Sequence, residues 1–186
     1  VVCDVNETLE PAGRGIGPIL EVRDVLYVLE QKTDRPLRLE AKSLRLAGKL
    51  LDLCYKDRKN PPAGGGEDEA RKILESGEAL KKFQEIVKAQ GGESKITSDS
   101  LTLAKNKFDY RSPKSGKIKD INNHNLNTVA KILGAPNDKK AGIYLLKKLD
   151  HSVVKNEPIF TLYSEDKYLL KEAEATLKNL PIFKIE

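Results

Sequence analysis

The residues best placed to do chemistry near the start of the chain form a glycine-rich loop. It reads Ala-Gly-Arg-Gly-Ile-Gly at positions 12–17 and precedes a periodic apolar segment that begins at Pro18. Glycine lets backbone approach a ligand, and the first turn of a helix carries partial positive charge. With the guanidinium of Arg14 added, the loop would suit an anion. It is not a dinucleotide fingerprint, because Ile19 or Leu20 stands where G-x-G-x-x-G needs its third glycine.

A second glycine run, at positions 64–66, is followed by Glu67, Asp68 and Glu69. A phosphate-binding P-loop would need a Lys-Ser/Thr pair there, so that kind of site is excluded. The three glycines predict an irregular link. The three acids are typical of the first turn of a helix, where the dipole favours negative charge, and we interpret them as capping groups rather than catalysts.

Thiols and imidazoles are few. Cys3 lies in a strand-like apolar run and Cys54 on the apolar face of a helix-like segment. This predicts two buried thiols in a reducing compartment, with a disulfide or a metal site as the alternative. His124 and His151 lie in separate polar stretches without a second ligand-type residue at zinc spacing, so we predict no metal role for them.

Charge is uneven along the chain. Of 186 residues 33% are charged, and the net charge of +5 arises wholly after residue 92, because basic and acidic residues balance in residues 1–92. Basic runs at 105–107, 114–119 and 139–140 could contact phosphates. Aromatic residues and arginine clusters do not interleave with these runs, so a solvated lysine-rich surface is favoured and no nucleic-acid partner is predicted.

Hydrophobic periodicity predicts the elements that position these residues. Residues 1–5 are typical of a buried strand, which gives the chain a strand-loop-helix start. The long apolar face of residues 37–54 predicts a helix whose Gly48 contacts a neighbouring helix. Two shorter helices are predicted at 67–76 and 78–90.

The second half changes character. After residue 100 the apolar runs become short and rich in β-branched and aromatic residues, and two helical segments, 126–133 and 165–177, interrupt them. The pattern predicts an α+β (α/β) fold rather than an all-β array. We predict two domains, a mainly helical one over residues 1–92 and an α+β subdomain over residues 93–186.

Nothing in the chain predicts insertion into a membrane. No apolar run reaches the roughly 20 residues of a membrane span, and the first ten residues lack the basic lead and apolar core of a secretory signal. We expect a soluble chain with no membrane partner. The sequence has no methionine and begins in a strand-like run, which suggests a piece excised from a longer protein.

Five segments, taken in order, resemble one enzyme family. They read GRGIGPILEVRDVL, LRLAGKLLDLC, ILESGEALKKFQEIVKAQGG, YRSPKSGKIKDINNHNLNTVAKILGAP and AGIYLLKKLDHSVVKNEPIFTLYSE. Together they resemble the C-terminal part of the thymidine and pyrimidine-nucleoside phosphorylase family, and above all its archaeal branch, the AMP phosphorylases. The resemblance covers essentially the whole chain. It implies that residues 1–92 are the C-terminal part of the family's α/β domain.

The resemblance also implies an activity. The family are pentosyltransferases, a class of glycosyltransferase in nucleotide metabolism, and a cytoplasmic location follows. They cleave AMP or a pyrimidine nucleoside or nucleotide with inorganic phosphate, giving a base and ribose 1-phosphate through an oxocarbenium-like centre at C1′. The family's phosphate-binding and base-binding segments lie N-terminal to the matched part. We therefore predict no catalytic residue and no cofactor here, an inactive isolated chain, and a homo-oligomeric full-length enzyme.

The same resemblance implies a cation site in the first loop. In bacterial relatives two main-chain carbonyls of this loop and a carboxylate one turn into the helix hold a monovalent or divalent cation, and these positions correspond to Ala12, Gly15 and Asp24. The usual carboxylate there is Glu, which is longer than Asp24. The alternative is a tight strand-to-helix turn with Asp24 in solvent.

The terminal subdomain resembles a barrel-sandwich module like the halves of biotinyl or lipoyl carriers. A carrier needs its modified lysine at a hairpin tip flanked by Met or Val, and the nearest candidates, Lys114 and Lys155, lie in Ser-Pro-Lys-Ser and Val-Lys-Asn contexts, so carrier function is disfavoured. Asn156 stands where relatives have a turn glycine, and we expect it to adopt the left-handed conformation that keeps the hairpin. A structural or carrier-like interaction module is therefore the alternative function.

Overall fold

The computed structural model describes residues 3–6, 8–56 and 63–186. The chain divides into two compact units: Val1–Val22 with Thr102–Glu186, called here the terminal unit, and Arg23–Leu101, called the helical unit. This division places the first 22 residues with the second half of the chain. The two structural units therefore differ from the domains 1–92 and 93–186 predicted from the sequence, and that domain division stays a prediction.

The helical unit is built from amphipathic helices. Its apolar core comprises Val28, Leu44, Ala70 and Leu74. The helices over Leu37–Tyr55 and Gly65–Glu75 each bury one stripe and leave the opposite side in solvent, as the 3.6-residue period requires, whereas the helix over Glu78–Ala89 has no fully buried residue. The elements are the second part of α1 (Pro18–Leu29), α2 (Leu37–Tyr55), α3 (Gly65–Glu75), α4 (Glu78–Ala89) and a short 3-10 helix (Ser98–Ser100).

Helices α2 and α3 meet through glycines. A Cβ on Gly48 would lie 2.6 Å from the backbone nitrogen of Glu67, and a Cβ on Gly66 would lie 2.1 Å from the carbonyl oxygen of Gly48. Backbone therefore packs directly against backbone at this crossing. The sequence prediction that Gly48 marks a helix contact is confirmed.

The start of α3 corrects the prediction of an irregular link at residues 64–66. Gly65 and Gly66 belong to the helix, and only Gly64 lies outside it, as its N-cap. The side chain of Asp52 accepts a hydrogen bond from the Gly66 amide at 2.6 Å, so a neighbouring helix supplies the cap that a glycine cannot. Glu67 and Asp68 lie in the first turn, as predicted.

A buried ion pair braces the turn before α2. The carboxylate of Glu40 accepts hydrogen bonds from the guanidinium of Arg35 and from the side-chain amide of Gln31, the latter at 3.1 Å. Burial raises the pKa of Glu40, but the hydrogen bonds from Arg35 and Gln31 outweigh it, so this pKa lies below the usual 4.5. The charged form of Glu40 is therefore the one that the fold stabilises.

The terminal unit contains two antiparallel sheets among its described residues. One has the strand order β1-β4-β6-β2 and the other has the order β5-β3-β7. The strands are β1 (Gly15–Ile16), β2 (Asn106–Arg111), β3 (Gly116–Ile121), β4 (Gly142–Leu145), β5 (Ser152–Val153), β6 (Pro158–Ser164) and β7 (Phe183–Ile185). Neither sheet closes on itself, so the described strands do not form a closed barrel.

Strand β6 is the centre of the terminal core. Its partners β2 and β4 lie on either side, and Phe160 is fully buried between the ring of Tyr110, stacked at a centroid distance of 4.7 Å, and the edge of Phe183. Such aromatic pairs add to the free energy gained from burying the rings themselves. Apolar residues of both sheets and of two helices complete this core.

Two helices cover the terminal sheets, and polar residues cap both of them. The side chain of Asn122 accepts from the Asn125 amide at the start of α5 (Asn123–Ile132). Likewise the side chain of Asp166 accepts from the Tyr168 amide at the start of α6 (Lys167–Thr176). Each cap satisfies an amide that the helix leaves without a partner.

The α+β class is confirmed by this mixture of helices and antiparallel sheets. The strand predicted at residues 1–5 is wrong for Cys3, Asp4 and Val5, which have no regular secondary structure, and Val5 is 95% exposed. A strand needs a hydrogen-bonded neighbour, and no described strand pairs with this segment. Val1 and Val2 lie outside the described residues.

Among the described residues, no helix is both long enough and apolar enough to cross a membrane.

Replacing Gly48 by alanine tests the glycine contact between α2 and α3. Helix propensity alone favours Gly48→Ala by about 1 kcal/mol. The clash of the new Cβ with Glu67 should outweigh this gain, so that Gly48→Ala lowers the free energy of unfolding by about 2 kcal/mol. Urea denaturation of the wild type, Gly48→Ala and the matched control Ser43→Ala, an exposed position of the same helix, measures this. A Gly48→Ala variant at least as stable as the wild type would contradict the packing.

The lowered pKa of Glu40 predicts a pH dependence of stability. Because the folded pKa lies below 4.5, the stabilisation is present above that value and is lost as the pH falls through the folded pKa. Glu40→Gln should therefore be destabilising at about pH 7 and lose this disadvantage towards about pH 3. Urea midpoints over this range measure it. The control is Glu85→Gln, which removes an exposed ion pair with Lys82 and should change the urea midpoint less. If the urea midpoints of the wild type and of Glu40→Gln differed by the same amount at every pH, the prediction would be contradicted.

Candidate functional site

The glycine loop predicted from the sequence leads into the edge of the larger terminal sheet. Its last part forms β1, which pairs antiparallel with β4 in the register Gly15 to Tyr144 and Ile16 to Ile143. The carbonyl of Arg14 also accepts a hydrogen bond from the Leu145 amide at 2.8 Å. The loop is thus held along its length by the sheet.

The glycines of the loop serve close packing of backbone. A Cβ on Gly15 would lie 2.4 Å from the carbonyl carbon of Leu20, and one on Gly17 would lie 2.3 Å from the carbonyl oxygen of Ala141. Gly17 also has a φ of 116°, which favours glycine. In this structure the glycines bring the loop against its own helix and against the residues before β4.

The first amides of α1 are already bonded within the protein. The Gly17 amide donates to the carboxylate of Glu21 at 3.0 Å, Pro18 has no N–H, and the Ile19 amide donates to the carbonyl of Lys139 at 3.0 Å. An anion bound at a helix N-terminus needs these donors. The arrangement therefore does not favour the anion site that the loop suggested.

A buried charged cluster lies beside the loop, and the sequence analysis did not find it. The ammonium of Lys148 donates to the carbonyls of Pro11 and Gly13, the latter at 2.8 Å, and lies 3.6 Å from a carboxylate oxygen of Glu10. That same carboxylate oxygen accepts from the Leu149 amide at 2.8 Å. Glu10 and Lys148 are 6% and 9% exposed. They lie far apart in the sequence and in no recognisable motif, so no sequence signal pointed to them.

The three residues predicted to hold a cation fall in different parts of the fold. Ala12 and Gly15 belong to the loop of the terminal unit, whereas Asp24 lies on the α1 segment of the helical unit. Asp24 is 1% exposed, so the alternative that placed it in solvent is wrong. Among the described residues no group of three or more His, Cys, Asp or Glu side chains could hold a metal. The site built on loop carbonyls stays a prediction.

Both cysteines are free and exposed, which contradicts the prediction of buried thiols. Cys3 is exposed because the strand expected around it does not form. Cys54 lies near the end of α2, whose apolar face is wider than the stripe that the helical unit buries. The two histidines are exposed as well, at the start of α5 and before β5.

The two candidate carrier lysines lie in neighbouring turns. Lys114 lies between β2 and β3, and Lys155 lies between β5 and β6. The Lys155 amide donates to the hydroxyl of Ser115 at 2.9 Å, which ties the turns together. Asn156 has a φ of 68°, so the predicted left-handed turn is confirmed. Modification of either lysine stays an untested alternative.

Two lysines of the basic runs form ion pairs with acidic residues. Lys117 lies 3.0 Å from Asp150, and Lys140 lies 3.9 Å from Glu165. Such exposed pairs contribute little stability, but they offset the local positive charge. The arrangement is in keeping with a solvated face, and the absence of a nucleic-acid partner stays a prediction.

The helical unit carries an apolar groove of about 490 Å³ between α1, α2, α3 and α4. Its walls are aliphatic side chains, and Ser43 is the polar residue among those that line it. A catalytic pocket needs convergent polar groups to orient a substrate. The groove is therefore suited to contact with apolar surface rather than to catalysis.

Comparison with known proteins identifies relatives for this fold. The family described as "Pyrimidine nucleoside phosphorylase C-terminal domain" matches residues 117–182. An AMP phosphorylase of Methanocaldococcus jannaschii is 40% identical over 184 residues, which is 99% of this chain and 36% of that protein. A putative thymidine phosphorylase of Legionella pneumophila is 43% identical over 156 residues, or 84% of this chain and 28% of that protein.

The chain thus spans about a third of the length of the curated relatives it matches, and it matches their C-terminal part. The match to the AMP phosphorylase runs through both the helical and the terminal unit. The chain belongs, as a C-terminal part, to the thymidine and pyrimidine-nucleoside phosphorylase family.

Proposed function

We propose that this chain is the C-terminal part of a pentosyl-transferring phosphorylase that cleaves AMP, or a pyrimidine nucleoside or nucleotide, with inorganic phosphate to a base and ribose 1-phosphate. The observation that carries the proposal is the 40% identity to an AMP phosphorylase over 99% of the chain. Identity that extends through both units favours a shared role for the whole chain. It makes AMP the first substrate to test.

Within that enzyme the chain has a supporting role. Displacement at C1′ needs a phosphate dianion beside the sugar and donors that stabilise charge on the departing base. The first amides of α1, which could have served as donors to a phosphate, are bonded within the protein. This observation supports a chain that does not turn over substrate alone.

The remaining expectations belong to the same proposal. Residues 1–92 would complete the α/β domain of the phosphorylase, and residues 93–186 would form its terminal subdomain. The full-length enzyme would be a cytoplasmic homo-oligomer. A cation at Ala12, Gly15 and Asp24 would be structural, since the residues that touch substrate in this family precede the matched part.

A chimera tests this proposal. The matched C-terminal 184 residues of the Methanocaldococcus jannaschii AMP phosphorylase are replaced by this chain. The chimera should convert AMP and phosphate to adenine and ribose 1-phosphate within about tenfold of the intact relative, a barrier difference of about 1.4 kcal/mol. This chain alone should show no turnover. Product release from AMP, CMP, UMP, thymidine and uridine is measured by chromatography.

The relative truncated before the matched segment serves as the control and should be inactive. A chimera that is folded, as judged by circular dichroism and cooperative melting, yet inactive on all five substrates would contradict the proposal. Phosphorolysis by the isolated 186-residue chain would contradict the supporting role.

A further inference from the structure

We propose that the ammonium of Lys148 is the resident cation of the first loop and that it holds the loop in place without a bound metal ion. Lysine is almost never as buried as Lys148, which is 9% exposed, unless its charge is paired. The inference concerns the folded chain itself. It does not depend on the proposed enzymatic activity.

The surroundings of Lys148 are those of a small cation site. Two main-chain carbonyl oxygens, of Pro11 and Gly13, accept hydrogen bonds from its Nζ, and a Glu10 carboxylate oxygen lies 3.6 Å away. Carbonyl and carboxylate oxygens are also the ligands that hard metal cations take in proteins. Here the protein's own ammonium lies among them, at the end of a side chain in the turn that follows β4.

The position of this charge explains how the loop is fastened. On one side the Glu10 carboxylate accepts from the Leu149 amide, and on the other the Arg14 carbonyl accepts from the Leu145 amide, both at 2.8 Å. Lys148 bonds to the carbonyls between these two attachments. Removing its charge would take from these carbonyls and from the buried Glu10 carboxylate the ammonium that they contact, which costs free energy.

This assignment makes a different forecast from the cation predicted at Ala12, Gly15 and Asp24. Ala12 lies in the sequence between Pro11 and Gly13, the two residues whose carbonyls the ammonium holds. A loop fastened by Lys148 is insensitive to added cations, whereas a loop fastened by a metal is not.

The test compares three variants of the full 186-residue chain with the wild type. Lys148→Ala removes the ammonium and leaves space among the oxygens. Lys148→Met removes the charge and fills the space. Lys147→Ala is the matched control, because Lys147 is the adjacent residue and pairs instead with Glu157 at 2.5 Å.

Two readouts are measured in potassium, ammonium, lithium and tetramethylammonium chloride at equal ionic strength. They are the urea midpoint and the hydrogen-exchange protection of the Leu145 and Leu149 amides. Wild type and Lys147→Ala should be the same in all four salts. In tetramethylammonium chloride, Lys148→Ala should lose at least about tenfold in protection relative to the wild type, and it should recover most of this protection in potassium or ammonium chloride. Lys148→Met should lose protection in all four salts, because its side chain fills the space that a cation would need.

Ion-selective recovery is a result that a purely packing role would not produce. Wild-type protection that rises in potassium over tetramethylammonium would overturn the proposal in favour of a metal. The proposal would also be overturned if Lys148→Ala and Lys147→Ala showed the same protection in every salt. It would be overturned as well if a folded Lys148→Ala lost protection that no salt restored. Should Lys148→Ala not fold in any salt, the proposal stands only if the wild type is salt-independent and Lys148→Met loses protection.

Discussion

The terminal unit depends on one buried charge. Lys148 connects the turn that follows β4 to a loop 135 residues earlier in the chain, through two carbonyls and the buried carboxylate of Glu10. Removing one partner of such a pair is strongly destabilising, because the other remains buried and uncompensated. The close approach of Gly142 to the Ile16 carbonyl, where a Cβ would come within 2.1 Å, then fixes β1 against β4. Charge and glycine sterics together place residues 1–22 in the same unit as the C-terminal half.

Much of the fold could be predicted because it is local. Helices with a long apolar period, such as α2, and first-turn acids, such as Glu67, are encoded within a few residues of themselves. The two-residue strands β1 and β5 could not be predicted from local sequence, because pairing with neighbouring strands defines them and their own composition does not. The sequence predicts a link instead of a helix at Gly65 and Gly66 for the same reason, since the contacts of Gly66 with Asp52 and Gly48 come from another helix, α2.

The sequence indicated the position of the glycine loop at residues 12–17 but not what the loop does. Glycine spacing and Arg14 indicated where the loop lies, yet the same pattern suits a ligand or a tight turn. The structure shows the packing role of these glycines through contacts that sequence spacing does not encode, such as Ala141 against Gly17. Glu10 and Lys148 were missed because single charged residues far apart carry no periodic signal. The family, in contrast, emerged from five segments in register, since their order carries information that no one motif has.

A double-mutant cycle on Glu10 and Lys148 tests the central interaction most directly. The free energies of unfolding of the wild type, Glu10→Gln, Lys148→Met and the double variant are measured by urea denaturation. If the two side chains stabilise the fold through each other, the double variant is less destabilised than the sum of the single variants by at least about 1 kcal/mol. Additivity to within about 0.5 kcal/mol would contradict the account.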